Sequence, residues 1–195
     1  MSDDPQKTLG QAGAGLPKLH ALFLRHIAFP LLRVSVSWER ALQMFESEGA
    51  RVLQLIDGLS QEQMYTKVLV PKTFGIEDNS RYYSAAMVLW HLTYVGENIR
   101  DGIISLSRGE KLDFTVKIKD FKPFVDIGAN VVDDFKTFLS DFGPMLDQHV
   151  EHRRIANYHS HPWFGPLNPH GWLVMGSVHQ WVHRRQLENI VKGLT

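Results

Sequence analysis

The sequence predicts an all-α protein in which four long amphipathic helices pack around one core, with a short helical extension at the N-terminus. Four segments repeat apolar residues every three or four positions, which is the spacing of one helix face. Glycine and proline separate most of these segments. The chain of 195 residues, 44% of them hydrophobic, is long enough to form one domain with its own core.

The N-terminal part is predicted to contain a tail and then a short helix. Residues 1–15 are rich in glycine, alanine, aspartate and glutamine, and we expect them to form a disordered tail because they bury little apolar surface. The single domain is expected over residues 16–195. It begins with a short amphipathic stretch, rich in leucine, that ends at Pro30.

The four long helices are predicted at positions 34–59, 80–107, 130–154 and 169–194. Gly109 ends the second one, since glycine favours the left-handed conformation that follows a helix. Gly143 and Pro144 fall inside the third, and we expect a kink there because proline has no amide hydrogen. The fourth begins at Pro169 or Gly171.

Residues 109–126 connect the second and third predicted helices. An extended residue spans about 3.3 Å, so this connector can return along the whole edge of a bundle. The second and third helices can therefore run parallel, as in bundles with one long connection. Within the connector Phe114, Val116 and Ile118 alternate with polar residues, which favours a short strand.

The composition excludes several kinds of function. Lys+Arg and Asp+Glu both number 21, so the net charge is zero and the chain lacks the excess of basic residues that nucleic-acid binding requires. The chain contains no cysteine, hence no disulfide, no thiol nucleophile and no thiolate ligand. A transition metal would have to be bound by nitrogen and oxygen atoms, and the ten histidines are the candidates.

The most apolar N-terminal stretch, residues 16–34, does not predict a membrane-spanning helix, because Lys18, Arg25 and Arg33 interrupt it. The residues before it include Asp3 in place of the basic start of a secretory signal. We therefore expect a cytoplasmic protein with no membrane partner.

The last predicted helix carries the pattern that points to chemistry. His179 and His183 lie four residues apart, about 40° around the helix axis, so both side chains can reach one ion. Together with Gln186 they interrupt the apolar stripe of that helix and are expected to face the core. Burying such polar groups costs about 1–3 kcal/mol each unless they find partners. A shared metal ion is one partner that satisfies both rings.

His91 in the second helix offers a third ligand. It lies on a stripe of small or apolar residues, and Asn98 lies two turns further along the same face. Three neutral imidazoles leave one coordination position open for water or substrate, as in catalytic zinc sites. Nickel and ferrous iron suit the same ligands. The competing interpretation is that each histidine is a core residue hydrogen-bonded to a carbonyl or a carboxylate.

Three further histidines, His159, His161 and His170, lie in the segment rich in proline and glycine before the last helix. We expect this segment to form turns, with the alternative that one of these histidines reaches the mouth of the metal site. The chain has no HExxH, P-loop, GxGxxG or GxSxG motif, which argues against peptidase, nucleotide-binding and hydrolase functions.

The segments LWHLTYVGEN around His91 and HPWFGPLNPHGWLVMGSVHQWVHRRQLENI over residues 161–190 resemble the DinB-like superfamily. The resemblance implies a four-helix bundle with an up-down-down-up course and a long connection between helices two and three. It also implies a metal triad of His91, His179 and His183, with Gln186 at the place of the family's trailing glutamine. The stretch HPWFGPL is similar to one branch of the superfamily in particular.

The resemblance covers residues 34–194, and residues 1–33 have no counterpart in it. Arg184 stands where many relatives carry a further histidine, so the triad is intact and no fourth ligand is assigned. Some characterised relatives transfer low-molecular-weight thiols or isomerise thiol adducts. The resemblance therefore implies a metal site. Our favoured hypothesis is a metal-dependent enzyme of the S-transferase kind, in which Gln186 and Asn98 orient the groups around the metal.

Two functions follow as hypotheses. In the favoured one, a divalent ion (Zn, Ni or Fe) at the three histidines activates a thiol or water toward a small electrophilic molecule, and the thiol is a cosubstrate because the chain has no cysteine. In the alternative, the protein is a non-catalytic metal-binding or dimer-forming stress-related bundle, and its N-terminal leucine and phenylalanine stripe joins a homodimer interface. A third possibility is a metal-free fold whose histidines hydrogen-bond to one another.

Overall fold

The computed structural model describes residues 5–123 and 126–194, and these residues are mostly helical. The α-helices are α1 Lys18–Phe23, α2 Phe29–Ser35, α3 Trp38–Ile56, α4 Gln61–Tyr65, α5 Ala85–Ser107, α6 Val131–His149 and α7 Pro169–Lys192. Two antiparallel pairs of short strands are β1 Val68–Leu69 with β2 Tyr82–Tyr83, and β3 His159–His161 with β4 Gly165–Leu167. The prediction of an all-α fold is confirmed.

The core lies between the four long helices. Helix α7 packs against both α3 and α5, while α6 packs against α5 and, over a smaller area, against α3. Aromatic rings fill the space between α3 and α6: Phe45 stacks on Phe142 with ring centroids 3.7 Å apart, and Phe138 meets the edge of both. The packing of α7 against α5 places these two helices side by side, which decides the position of the site described below.

Side-chain caps determine where the long helices begin. Ser37, Ser84 and Asn168 cap α3, α5 and α7 by accepting a hydrogen bond from the amide three residues further along. Each cap satisfies an amide that has no partner inside its helix. Helices α3 and α5 therefore start a few residues later than the apolar periodicity predicts, and α7 starts at Pro169, the earlier of its two predicted positions.

Two of the predicted helices have different ends. The segment predicted as one helix over 34–59 ends at Ile56, and Ser60 starts the separate helix α4 through a capping box with Gln63. Helix α6 ends at His149 rather than at Arg154, and it continues through Pro144. Apolar periodicity does not detect these boundaries because local capping bonds decide them.

The predicted strand in the connector is wrong. Residues 114–117 form no regular structure, and a 3₁₀ turn follows at Ile118–Phe121. Among the described residues no strand pairs with this segment, although the ring of Phe114 lies 4.8 Å from that of His159 in β3. The alternation has another role, because Phe114, Val116 and Ile118 all line the cavity described below.

Residues 1–4 of the predicted tail lie outside the described residues, whereas the structure describes residues 5–15. These residues include a 3₁₀ turn and lie along residues 77–79. The amide of Gly10 donates to Asp78 Oδ2 at 2.9 Å, and the amide of Gly15 donates to Glu77 Oε1 at 2.7 Å. These hydrogen bonds connect residues 5–15 to carboxylates more than sixty residues away in the chain.

Helices α1 and α2 expose apolar side chains; Leu19 and Val34 are each 79% exposed. Among the described residues no single helix is long and apolar enough to cross a membrane. Lys18–Ser35 and Trp38–Ile56 reach that length and composition only when they are taken together, and the pair is bent by 104°.

We predict that Gly96→Ala destabilises the protein, because a Cβ at this position in α5 would overlap the buried ring of Phe138 on α6. Overpacking of this kind costs about 1–3 kcal/mol, which lowers the melting temperature of a chain of this size by about 2–4 °C per kcal/mol. Gly102→Ala is the matched control in the same helix, since its Cβ would meet only Leu112 Cδ1 at 3.5 Å. Equal melting temperatures for the two variants would contradict the close packing of α5 and α6.

Candidate metal centre

The structure brings the three predicted histidines together. Helix α5 contributes His91, and α7 contributes His179 and His183. Nε2 of His91 lies 3.1 Å from Nε2 of His179 and 3.2 Å from Nε2 of His183. One ligand atom from each of the three histidines lies within 4.8 Å of the others. His91 and His183 are buried and His179 is half-buried, so the cluster lies between the helices and not on the surface.

In His91 and His183, the hydrogen bond made by Nδ1 shows which ring nitrogen carries the proton. His91 Nδ1 lies 2.8 Å from the carbonyl oxygen of Phe121, which can only accept, so Nδ1 carries the proton. Gln186 Nε2 donates to the carbonyl of Ser80 at 2.7 Å, which turns Gln186 Oε1 toward His183. His183 Nδ1 therefore donates to that oxygen at 2.7 Å. In both neutral rings Nε2 is left with a free lone pair.

The lone pairs of His91 and His183 face each other across 3.2 Å with no proton between them. Two such acceptors repel, and a cation between them turns this repulsion into coordination. In a tetrahedral zinc site with Zn–N bonds of about 2.0–2.1 Å, ligand nitrogens lie about 3.3–3.4 Å apart. The two separations from His91 are close to that value, and one nitrogen of each histidine lies within 4.8 Å of the others, so the three residues fit a transition-metal ion.

Burial keeps the three imidazoles neutral. Desolvation holds the pKa of His91 and of His179 well below the ordinary value, and the neighbouring His183 lowers both further. Desolvation lowers the pKa of His183 to about 4, against the opposing effect of its hydrogen bond to Gln186. Neutral imidazole is the form that binds a metal, so no proton has to leave these rings at pH 7.

A buried ion pair lies beside the cluster, and sequence patterns did not reveal it. Lys122 Nζ lies 2.6 Å from Glu77 Oε2 and donates to Ser80 Oγ at 2.5 Å. Glu77 is 2% exposed, and desolvation lowers the pKa of Lys122. Both residues lie in connectors, where no periodicity marks them. Sequence patterns also do not reveal the hydrogen bond from His91 to Phe121, because its acceptor is a backbone carbonyl.

Gln186 and Asn98 are the two residues predicted to orient the groups around the metal. Gln186 is hydrogen-bonded to His183, whereas Asn98 has no hydrogen bond to a described histidine of the cluster. Asn98 lines the cavity next to the cluster, but its amide donates to the carbonyl of Tyr94 at 2.7 Å. Arg184, at the position of a possible further histidine, forms ion pairs with Glu48 at 2.6 Å and Glu188 at 2.5 Å. It stabilises the contact of α7 with α3 instead of supplying a ligand.

The segment before α7 forms the expected turn, since β3 and β4 are a hairpin closed by Gly165 with φ +75°. His159 and His161 line the cavity next to the cluster, whereas His170 is not part of that wall. His161 Nδ1 accepts the amide of Trp163 at 3.1 Å, so its proton is on Nε2 and His161 is a hydrogen-bond donor rather than a ligand. Burial lowers the pKa of His161 to about 3.

The three histidines form part of the wall of a cavity of about 150 Å³. Helices α5 and α7, the connector after α5, the β3–β4 hairpin and the N-terminal segment all contribute to this wall. A small molecule in this space would therefore lie next to a metal bound at the three histidines.

Comparison with protein-family models, with curated proteins and with solved structures finds no match to this chain. The function is therefore argued from the geometry and chemistry of the site.

We predict that the metal-free protein loses stability as the pH falls from about 6.5 to about 4. The unfolded chain takes up a proton on each histidine near pH 6.5, whereas folded His183 does so only near 4. In that window the unfolded state binds more protons, so each such histidine lowers the free energy of unfolding by about 1.4 kcal/mol per pH unit, and the full stability is present above the window.

Urea unfolding at a series of pH values measures this slope. His183→Ala should reduce this slope by the contribution of one proton, about 1.4 kcal/mol per pH unit. His152→Ala, which removes an exposed imidazole, is the control. A slope that is the same in His183→Ala and in the unmodified protein would show that His183 is not held neutral by burial.

Proposed function

We propose that the protein is a metal-dependent enzyme of the S-transferase kind that binds one divalent ion through His91, His179 and His183. The observation that supports the metal is the approach of the lone pairs of His91 and His183 to 3.2 Å, with both Nδ1 protons directed elsewhere. Hydrogen bonding between the histidines alone leaves this pair without a proton. Zinc, nickel and ferrous iron all accept such a set of nitrogen ligands.

The proposed fold is the up-down-down-up four-helix bundle of DinB-like proteins, formed by α3, α5, α6 and α7. The packing of α7 on α3 and α5, and of α6 on α5, supports this arrangement. The connector between Ser107 and Val131 is long enough to return along the bundle and let α5 and α6 run parallel.

The chain's own residues prepare the site for chemistry. Phe121 and Gln186 fix the orientation of two imidazoles and keep their protons on Nδ1, which makes Nε2 the stronger donor atom. A bound ion supplies a Lewis acid that lowers the pKa of a coordinated thiol or water. The thiol is a cosubstrate, because the chain has no cysteine. A cytoplasmic location agrees with this proposal, since low-molecular-weight thiols are kept reduced there.

A second candidate is a non-catalytic metal-binding protein that forms a homodimer. The exposed apolar side chains of α1 and α2 favour it: Leu19 is 79% exposed, Leu31 67% and Val34 79%. A second copy of the chain would cover this stripe. The two candidates share the metal and differ in whether an electrophile is turned over.

We predict that protein purified without a histidine tag carries about one metal ion per chain and that His179→Ala carries less than about 0.2. Elemental analysis measures the metal content. A metal present at 1,000 times its dissociation constant adds about 4 kcal/mol of stability, so a chelator should lower the melting temperature by about 8–16 °C. His26→Ala, at an exposed position, should keep the metal. Unchanged metal content in His179→Ala would overturn the assignment of the ligands.

The enzymatic part is tested by mixing the metal-loaded protein with a low-molecular-weight thiol and a haloaromatic electrophile. In this reaction a sulfur–carbon bond forms, halide leaves and the thiol proton passes to solvent. The rate should require both the metal and His179. A fully metal-loaded protein that turns over no electrophile would support the second candidate.

We predict that Gln186→Leu lowers the affinity for the metal about 10- to 100-fold, because His183 loses the acceptor that orients it. Gln180→Leu is the matched control on the same helix, since its buried side-chain amide has no hydrogen-bond partner among the described residues. Competition with a chelator of known affinity measures both values. Equal affinities for the two variants would show that Gln186 does not position His183.

A further inference from the structure

The wall of the cavity beside the histidines is almost entirely apolar. Its aromatic members include Phe74, Phe114, Phe121, Trp163, Trp172 and Trp181. They come from α7 and from three different connectors, so the long-range fold brings them together and no single amphipathic helix does. A concave apolar wall favours apolar ligand surface, because that surface is removed from water when it binds.

The cavity offers no unpaired charge to an ionic ligand. Among the described residues that line it, Glu77 and Lys122 carry full charges, and they pair with each other at 2.6 Å. The other carboxylate oxygen of Glu77 accepts the amide of Gly15 at 2.7 Å. A carboxylate, phosphate or ammonium group placed against this wall would lose water without gaining a free opposite charge from the described residues.

The volume of the cavity sets the size of the ligand. About 150 Å³ is the size of an engineered protein cavity, lined by leucine, isoleucine and phenylalanine, that binds benzene. Leu16 and Leu24 of the N-terminal segment contribute to the wall, as do Val95 of α5 and Val116 of the connector. The space therefore matches one ring or a compact hydrocarbon group.

We propose that this cavity binds the uncharged apolar part of the substrate, an aromatic ring or compact hydrocarbon group about the size of benzene, and holds the atom next to that group against the three histidines. The placement of the reacting atom at the histidines rests on the proposed function above, whereas the binding of the apolar group in the cavity does not. The electrophile is thus a small neutral aromatic or branched aliphatic compound, and the hydrophilic thiol approaches the metal from outside this space.

The test uses benzene and benzoate as probes of the full-length protein, with and without metal. Amide resonances in an NMR titration should shift on adding benzene at Val95, Trp172 and Met175, which line the cavity. Benzoate has the same ring and a charge, and in metal-free protein it should bind at least about 10-fold more weakly, because the wall offers no free positive charge to a carboxylate. Benzene should bind with and without metal, whereas a bound divalent ion would itself attract benzoate, so the two probes are compared in metal-free protein.

Val95→Phe fills part of the cavity and should weaken benzene binding at least about 10-fold. Val132→Phe is the matched control, because Val132 is also half-buried but lies on α6 away from the cavity. If Val95→Phe fails to fold, Val116→Phe in the connector provides the same test. Absent benzene shifts, equal binding of benzoate, or equal loss in the Val132 variant would overturn the proposal.

The result of the benzene experiment is independent of the result of the metal experiment. A protein that binds benzene but no metal would contradict the proposed enzyme and leave the apolar cavity as a binding site. A protein that binds metal but neither probe would retain the metal centre and reject the substrate class.

Discussion

The contact between α5 and α7 is the interaction on which the rest of the site depends. It brings His91, which is far from the other two histidines in sequence, to 3.1 Å from His179 and 3.2 Å from His183. The contact is built from small and apolar residues on both helices; Gly176 of α7, for instance, lies against Ile99 of α5. Without this close approach, His179 and His183 on α7 would each require another hydrogen-bond partner.

The connectors supply what the helices lack. The chain after α5 turns back so that the carbonyl oxygen of Phe121 accepts a hydrogen bond from His91 Nδ1 and Lys122 forms an ion pair with Glu77. The loop before α5 places the carbonyl of Ser80 where it orients Gln186. These bonds surround the histidines, and because they assign the Nδ1 protons of His91 and His183 they leave a free lone pair on Nε2 of both rings. The same connectors close the apolar cavity.

The parts of the site that sequence analysis found are those with a local signature. His179, His183 and Gln186 interrupt an apolar helix face at regular spacing, and His91 does so on another helix. The predicted strand at 114–118 failed because period-two alternation also arises where a lone extended segment covers a cavity. The role of residues 5–15 was missed because their partners, Glu77 and Asp78, lie more than sixty residues away.

The sequence by itself determined the four long helices, their apolar faces and the candidate metal ligands, because side-chain periodicity and capping depend on neighbours within a few residues. Only the tertiary structure decided which carbonyl accepts from His91, that Lys122 pairs with Glu77, and that an apolar space adjoins the three histidines. These features depend on the paths of connectors, and a connector's path follows from contacts between distant residues that leave no periodic trace in the chain.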